Sequence, residues 1–352
     1  MKTRDRLLLL LEERKGEYVS GAEVAASLHI SRTAIWKAVE SLRAEGYTIE
    51  AVRNRGYRLP EESDLISEAG IRHWLGSMRT EGMSQMRAKS DQESIQLHVR
   101  QKVTSTNDLL KEMAAKGAPE GTVYVAARQT AGKGRAGRSF YSPEDTGVYL
   151  SILLRPEGFT VQRASRFTTM AAVAACRAID ELIESQEADA HEEQAQIKWV
   201  NDVYVRGKKA VGILTEAGIN LESGELEYAV LGIGFNVYAP KGGFPEEIRD
   251  RAGAILRERT GDAKNQLAAA FIRYFMYYYK EELKRKDGGQ LPEYVRAYRE
   301  RCFVVGREID VIAGGKSRRA RALSVDDECR LTVEYEDGSR ETLASGEVSI
   351  RV

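Results

Sequence analysis

The segment RQTAGKGRAGR, residues 128–138, decides how the rest of the chain is read. Gly132, Gly134 and Gly137 alternate with Lys133, Arg135 and Arg138. Glycine lets a backbone approach a ligand closely and enter φ > 0, and the cations offer charge-assisted bonds to phosphate. Such a loop suits an anionic nucleotide. It is not a Walker loop, because no Gly-Lys-Ser/Thr follows. Taken alone, it also fits a flexible, solvated surface turn.

Upstream, VTSTND (103–108) reads as a strand entering a helix, with Ser105, Thr106 and Asp108 as caps. Amides at a helix N-terminus favour polar or anionic groups, although capping by itself explains these residues. Downstream, IKWVNDVYV (197–205) is a strand, a turn at Asn201-Asp202 and a second strand. Alternation puts Lys198 and Trp199 on opposite faces. A buried lysine beside a phosphate stabilises charge developing in a transition state; an edge-strand lysine before an ordinary turn is the plainer alternative. In GKKAVGILTEA (207–217) and LGIGFNV (231–237), glycines interrupt apolar strands, which weakens them unless something approaches the backbone.

Around these motifs the patterns predict strands at 99–103, 122–127, 148–154, 197–200, 211–216 and 228–234. Helices are predicted at 105–116, 161–184, 264–286 and 291–301. Strands in neighbouring groups favour a mixed α+β sheet over regular βαβ winding. Residues 1–60 form a separate unit, with helices at 3–14, 21–28 and 32–45 and then the hairpin YTIEAVRNRGYRLP around an Asn-Arg-Gly turn. That order describes a winged helix-turn-helix. Ser31 caps the third helix, and Ile35, Val39 and Leu42 form its core stripe. Trp36 lies just off that stripe, as a half-buried packing residue or a base contact. Residues 61–97 read as a linker with one or two short helices, and 98–301 as the central domain. The last segment, 302–352, switches to short strands between Gly and Asp turns, a small SH3-like β-barrel. Glutamates and aspartates crowd 181–193, most of which reads as a solvated loop.

The chain has 352 residues, with 53 Lys+Arg balanced by 53 Asp+Glu. The balance hides local asymmetry: residues 31–60 carry six Lys/Arg against three Glu, an electrostatic footprint for nucleic acid. No apolar run is long enough to span a membrane. Three scattered cysteines, Cys176, Cys302 and Cys329, argue for a reducing, cytoplasmic setting rather than a disulfide framework. No metal-ligating cluster and no Cys-His or Ser-His arrangement is read.

In order, STND, Q-x-x-G-K-G-R-x-G-R, KW-x-ND, GIL-x-E and GIG-x-N resemble the signature of biotin protein ligases. With the winged helix in front, the chain resembles the bifunctional kind, ligase and biotin-operon repressor together. The resemblance implies a central class II synthetase-like domain. It also implies ATP-dependent formation of biotinyl-5′-AMP, with Mg²⁺ assisting, and biotin transfer to a lysine of a biotin carboxyl carrier protein. Lys198 and Arg135 would be catalytic. Ser105, Thr106, Asn107, Gln129, Lys133, Gly134, Arg135 and Lys198 would bind biotin. Arg138, Phe140, Asn201, Asp202, Gly212, Gly232, Gly234 and Asn236 would bind ATP and the adenylate. Operator DNA would meet Ser31, Arg32, Thr33 and Lys37 on the recognition helix and Arg53 and Arg55 on the wing. Adenylate binding would drive homodimerisation.

Three positions depart from the family pattern. Lys133 replaces an arginine, keeping charge but losing the bidentate fork; Val200 replaces a proline; and Phe140 stands where tryptophan is common. Ala136 occupies a variable position. The alternatives are a ligase with an idle DNA-binding domain and a lipoate-type ligase.

Overall fold

The computed structural model describes residues 2–77, 95–186, 194–220, 222–285, 290–313 and 316–350. At the N-terminus, α1 (Thr3–Glu13), α2 (Gly21–Leu28) and α3 (Arg32–Ala44) precede the hairpin β1 (Glu50–Val52) and β2 (Gly56–Arg58). Ser20 and Ser31 cap α2 and α3, accepting from the amides of Glu23 at 3.1 Å and Ala34 at 3.2 Å. Leu7, Leu11, Val24, Ile35, Val39, Leu42 and Leu59 close a small core. The wing turns through Asn54 at φ 66° and Gly56 at φ 109°. A Cβ on Gly56 would sit 2.0 Å from the Val19 carbonyl, so only glycine fits there. Arg55 stacks 4.1 Å above the Tyr18 ring, and Glu50 accepts from the Tyr18 hydroxyl at 2.7 Å and from Arg58 at 2.9 Å. Trp36 is 57% exposed, which removes the packing alternative for this residue.

The segment read as a linker holds α4 (Glu68–Ser77), whose Ile71 and Leu75 join the main core together with Ile66; residues 78–94 lie outside the described part. It is fastened by buried polar groups. Asn265 accepts from the Ser67 amide at 2.9 Å and donates to the Leu65 carbonyl at 3.1 Å. Asp64 accepts from the Lys264 amide at 2.9 Å and the Tyr238 hydroxyl at 2.6 Å. Gly70 lies so close that a Cβ would come within 2.5 Å of Asn265. Buried Glu12 of α1 meets the Ser67 hydroxyl at 3.3 Å and Lys15 at 3.5 Å, and Lys15 reaches Asp262 at 3.1 Å.

Seven strands make the central sheet: β3 (Gln96–Val103), β4 (Thr122–Gln129), β5 (Gly147–Leu154), β6 (Gln196–Lys198), β7 (Asp202–Val205), β8 (Lys208–Ile219) and β9 (Leu226–Asn236). Their order is β3-β4-β5-β9-β8-β7-β6, parallel only between β3 and β4. This is the mixed sheet expected. Helix α5 (Thr106–Ala115) covers one face through Leu110 and Ala114 against Leu153 and Val230. Two long helices, α6 (Ser165–Gln186) and α7 (Ala263–Lys284), cover the other, with the short α8 (Glu293–Arg301) beside α6. The acidic stretch is partly helical: Glu181, within α6, accepts from Arg273 at 2.6 Å and Tyr274 at 2.8 Å. Glu181 falls within the helix predicted to 184, and its carboxylate is held by a buried arginine; residues 187–193 lie outside the described part.

The C-terminal strands are β10 (Glu308–Ala313), β11 (Lys316–Val325), β12 (Leu331–Tyr335), β13 (Arg340–Leu343) and β14 (Glu347–Ile350). They form an antiparallel sheet ordered β13-β12-β11-β10-β14 around Ile309, Val311, Ala322, Leu331 and Val333. A contact ties it to the β6–β7 turn, where Trp199 Nε1 donates to the Cys329 carbonyl at 2.9 Å, and Tyr298 of α8 holds the same turn by donating to the Val200 carbonyl at 3.0 Å. The Trp199–Val200 peptide is cis. Among the described residues no helix is long and apolar enough to cross a membrane.

Burial raises the Glu12 carboxyl from 4.5 to about 7, with Lys15 working against the shift. The folded chain therefore binds more protons than the unfolded one across that window, so this residue's contribution to stability falls as pH rises through it. Thermal melts of wild type and Glu12→Gln between pH 4.5 and 7 are expected to diverge, with wild type losing stability relative to the variant. A pH-independent difference would contradict the buried position.

Candidate active site

Register builds the site. Cross-strand partners share a face of an antiparallel sheet, and two rungs run across the α5 face. One aligns Lys198, Asp202, Gly212, Gly234 and Tyr149; the next aligns Leu214, Gly232, Ser151 and Tyr124. Three glycines in adjacent places leave a trough. The Phe140 ring fills part of it: a Cβ on Gly234 would lie 2.4 Å from that ring and one on Gly212 2.8 Å. On the second rung a Cβ on Gly232 would lie 2.1 Å from Asn107 Oδ1.

The inner end of the trough is a narrow slot lined by Ser105, Thr106, Asn107, Gln129, Lys133, Phe140 and Leu214. Its polar groups are held by one another. Gln129 Oε1 accepts from the Thr106 amide at 2.8 Å and hydroxyl at 3.1 Å, and Gln129 Nε2 donates to Ser142 at 3.2 Å. Ser151 Oγ lies 2.7 Å from Thr106 Oγ1 and 2.6 Å from Asn107 Oδ1. Asn107 donates to Glu216 at 2.8 Å. Ser105 caps α5, as expected.

The outer end opens into a cavity of about 510 Å³. The glycine-rich loop forms one wall as a tight hairpin, with the Gly134 amide donating to the Arg138 carbonyl at 2.7 Å and the Phe140 amide to the Gly132 carbonyl at 2.9 Å. Its tip turns through Ala136 at φ 53° and Gly137 at φ 74°. Three cations pin it. Lys133 pairs with Asp108 at 2.6 Å. Arg135 donates to Asn201 Oδ1 at 3.0 Å and to the Gly346 carbonyl at 3.2 Å. Arg138 pairs with Glu347 at 2.8 Å. That ion pair, with Lys198 and Arg135 nearby, holds Glu347 below the usual carboxylate range.

Lys198 lines the cavity at the end of β6. No hydrogen bond or ion pair among the described residues engages its ammonium, which lies 6.0 Å from the Tyr204 ring centre. Burial pushes its pKa below the ordinary 10.5, an effect that nearby Asp202 opposes and Lys209 reinforces. Asp202 is itself paired with Lys209 at 2.6 Å. A desolvated, unpaired cation is a costly arrangement that an anionic ligand relieves. Asn236 lies beyond, beside a side cavity of about 220 Å³ shared with Lys198, Tyr204 and Arg251.

All central residues singled out from sequence thus converge on one trough and its two cavities. The turn differs from expectation: Trp199 to Asn201 make it, and Asp202 already belongs to β7. Sequence reading missed Ser151, whose signal was a lone serine inside the apolar run GVYLSILL. Glu216 and Lys209 lie within the quoted motifs but carried no assigned role, and Gly346 and Glu347, supplied by a distant part of the chain, were missed. On the winged helix, Ser31, Arg32, Thr33, Lys37, Arg53 and Arg55 are exposed.

Residues 99–236 match the biotin/lipoate A/B protein ligase family, 3–58 an HTH domain and 304–351 the biotin protein ligase C-terminal domain. The chain is 33% identical over 335 residues to the bifunctional ligase/repressor BirA of Bacillus subtilis, covering 95% of each chain. It is 28% identical to the Escherichia coli protein of the same name, over 98% of this chain and 96% of that one. The biotin protein ligase of Aquifex aeolicus in complex with biotin and ATP has a TM-score of 0.58 at 26% identity, over 73% of this chain and 98% of its own. With that correspondence running through winged helix, ligase sheet and C-terminal strands alike, the chain belongs to the family of bifunctional biotin ligases and repressors.

Proposed function

We propose that the inner slot takes the biotin ring and the outer cavity the nucleotide, with Lys198 where the two meet. The observation that carries this reading is a polar, narrow slot opening directly into a cavity lined by Lys198, Arg135 and Arg138. Thr106, Asn107, Gln129 and Ser105 offer both donors and acceptors to a ureido ring. The biotin carboxylate attacks the α-phosphorus of ATP and expels pyrophosphate, giving biotinyl-5′-AMP. An acceptor lysine amine on the carrier protein then attacks the acyl carbon and expels AMP. The first step brings two anions together, and preorganised Lys198 and Arg135 offset that repulsion. Gly212 and Gly234 form the floor, with Phe140 against it; Asn201, Asp202 and Asn236 border the nucleotide.

Among the described residues no group of three or more His, Cys, Asp or Glu side chains is placed to hold a metal ion. That fits Mg²⁺ arriving on the nucleotide, since this ion is bound through phosphates and one or two carboxylates. Asp202 and Glu347 are the carboxylates that line the cavity, each paired with a cation (Lys209 and Arg138), and the ion would supply charge neutralisation on the phosphates.

The winged helix reads operator DNA through Ser31, Arg32, Thr33 and Lys37, with Arg53 contacting phosphate and Arg55 fixing the wing on Tyr18. A palindromic operator needs two copies, and adenylate-dependent pairing of protomers supplies them. The setting is the cytoplasm. A biotin substrate is favoured over a lipoate-type one by the glycine-arginine loop and the KW-x-ND turn.

Lys198→Ala is expected to slow pyrophosphate release by at least about a hundredfold with an unchanged melting profile; near-normal turnover would remove Lys198 from the chemistry. Arg135→Gly, which cuts both stapling bonds to Asn201 and Gly346, is expected to let the adenylate escape. The readout is biotin on bystander lysines, detected by blotting, and labelling confined to the carrier protein would count against the role.

A further inference from the structure

We infer that Trp36 is a base-reading residue, taking the 5-methyl group of a thymine in the major groove of duplex DNA. The inference rests on the DNA-reading role proposed above. The core stripe of α3 is Ile35, Ala38, Val39 and Leu42, all buried, and Trp36 points away from it at 57% exposure, the greatest among the large hydrophobic side chains exposed in the described chain. It shares a helix face with Arg32, Thr33 and Glu40, because residues three and four apart lie together, and the cationic Lys37 follows it in the chain; all four are exposed. Glu40 is held by Arg43 at 2.8 Å, so the charge offered around the indole is positive. An apolar ring inside a cationic patch fits a partner that is anionic outside and apolar within, as a DNA groove is. Trp36 also lies early in a helix whose N-terminal part faces base edges in helix-turn-helix complexes.

Chemistry narrows the base. An indole has one N–H donor and no acceptor. Adenine and cytosine present amino donors in the major groove, guanine only acceptors, and thymine an acceptor beside a methyl group. Thymine alone matches both the apolar face and the donor.

The test uses the full-length protein with biotin and ATP, and duplexes selected by it from a random pool. In the selected duplex, thymidine is replaced by deoxyuridine one position at a time, deleting only the methyl. Wild type is expected to lose about tenfold in affinity at one position or more. Trp36→Ala should lose a similar factor on the original duplex and be indifferent to deoxyuridine there, while its salt dependence and its biotin ligation stay as in wild type. Trp36→Phe, which keeps an apolar face, should stay sensitive to the methyl. Equal binding by wild type and Trp36→Ala, or equal deoxyuridine sensitivity, overturns the inference while leaving the DNA-reading role intact. Self-association without DNA that Trp36→Ala abolishes also overturns it, by giving the indole to a second copy. Failure to select any duplex overturns the DNA-reading role and the inference with it.

Discussion

The site depends on strand register. Pairing of β5, β9, β8, β7 and β6 brings Gly234, Gly212, Asp202 and Lys198 onto one rung and Gly232 beside Ser151 on the next. A slip of one residue in any pair would turn those side chains toward α6 and α7. The trough would then be filled, and Lys198 would face an apolar core. Register here is therefore fixed twice, by the apolar residues of the opposite face and by the lack of side chains on this one.

The cavity is shared between two domains. The central sheet gives a floor and two cations, Lys198 and Lys209, the glycine-rich loop gives a wall, and the C-terminal sheet gives the backbone carbonyl of Gly346 and the carboxylate of Glu347 that hold the loop arginines. Loop cations thus have protein partners that anionic phosphates can compete for. Pairs of this kind at partial exposure are weak, which suits a loop that must let substrates in and keep water from a reactive anhydride.

The winged helix is fastened to the ligase through a buried polar joint rather than a free tether. Asp64, Ser67 and Lys15 on one side meet Lys264, Asn265 and Asp262 on the other, with Trp74 donating to Asp262. Buried polar partners fix geometry because leaving any one unpaired is costly. Lys264 also reaches Asp145 at 3.3 Å, in the stretch between the glycine-rich loop and β5, so one buried ammonium touches both the joint and the approach to the site.

Local chemistry was legible in the sequence wherever it is written in consecutive residues. The winged helix followed from helical periodicity, a serine cap and a turn, and the loop from alternating glycine and cation. Lys198 followed from a strand whose two faces alternate. What remained hidden needed distance. Glu347 stands more than two hundred positions from Arg138 along the chain, and nothing near it marks it as a ligand-site residue. Helix α4 looked like linker because its apolar residues are few and its anchors lie on α7. Trp36 could be either packing or contact until the core stripe around it was complete. Sequence by itself determined the elements, the order of the motifs and the family likeness, because those rest on local backbone preference and spacing. Tertiary structure alone decided the cross-strand rungs, the stapling of the loop and the joint to the winged helix, because each is a pairing of residues that only folding brings within bonding range.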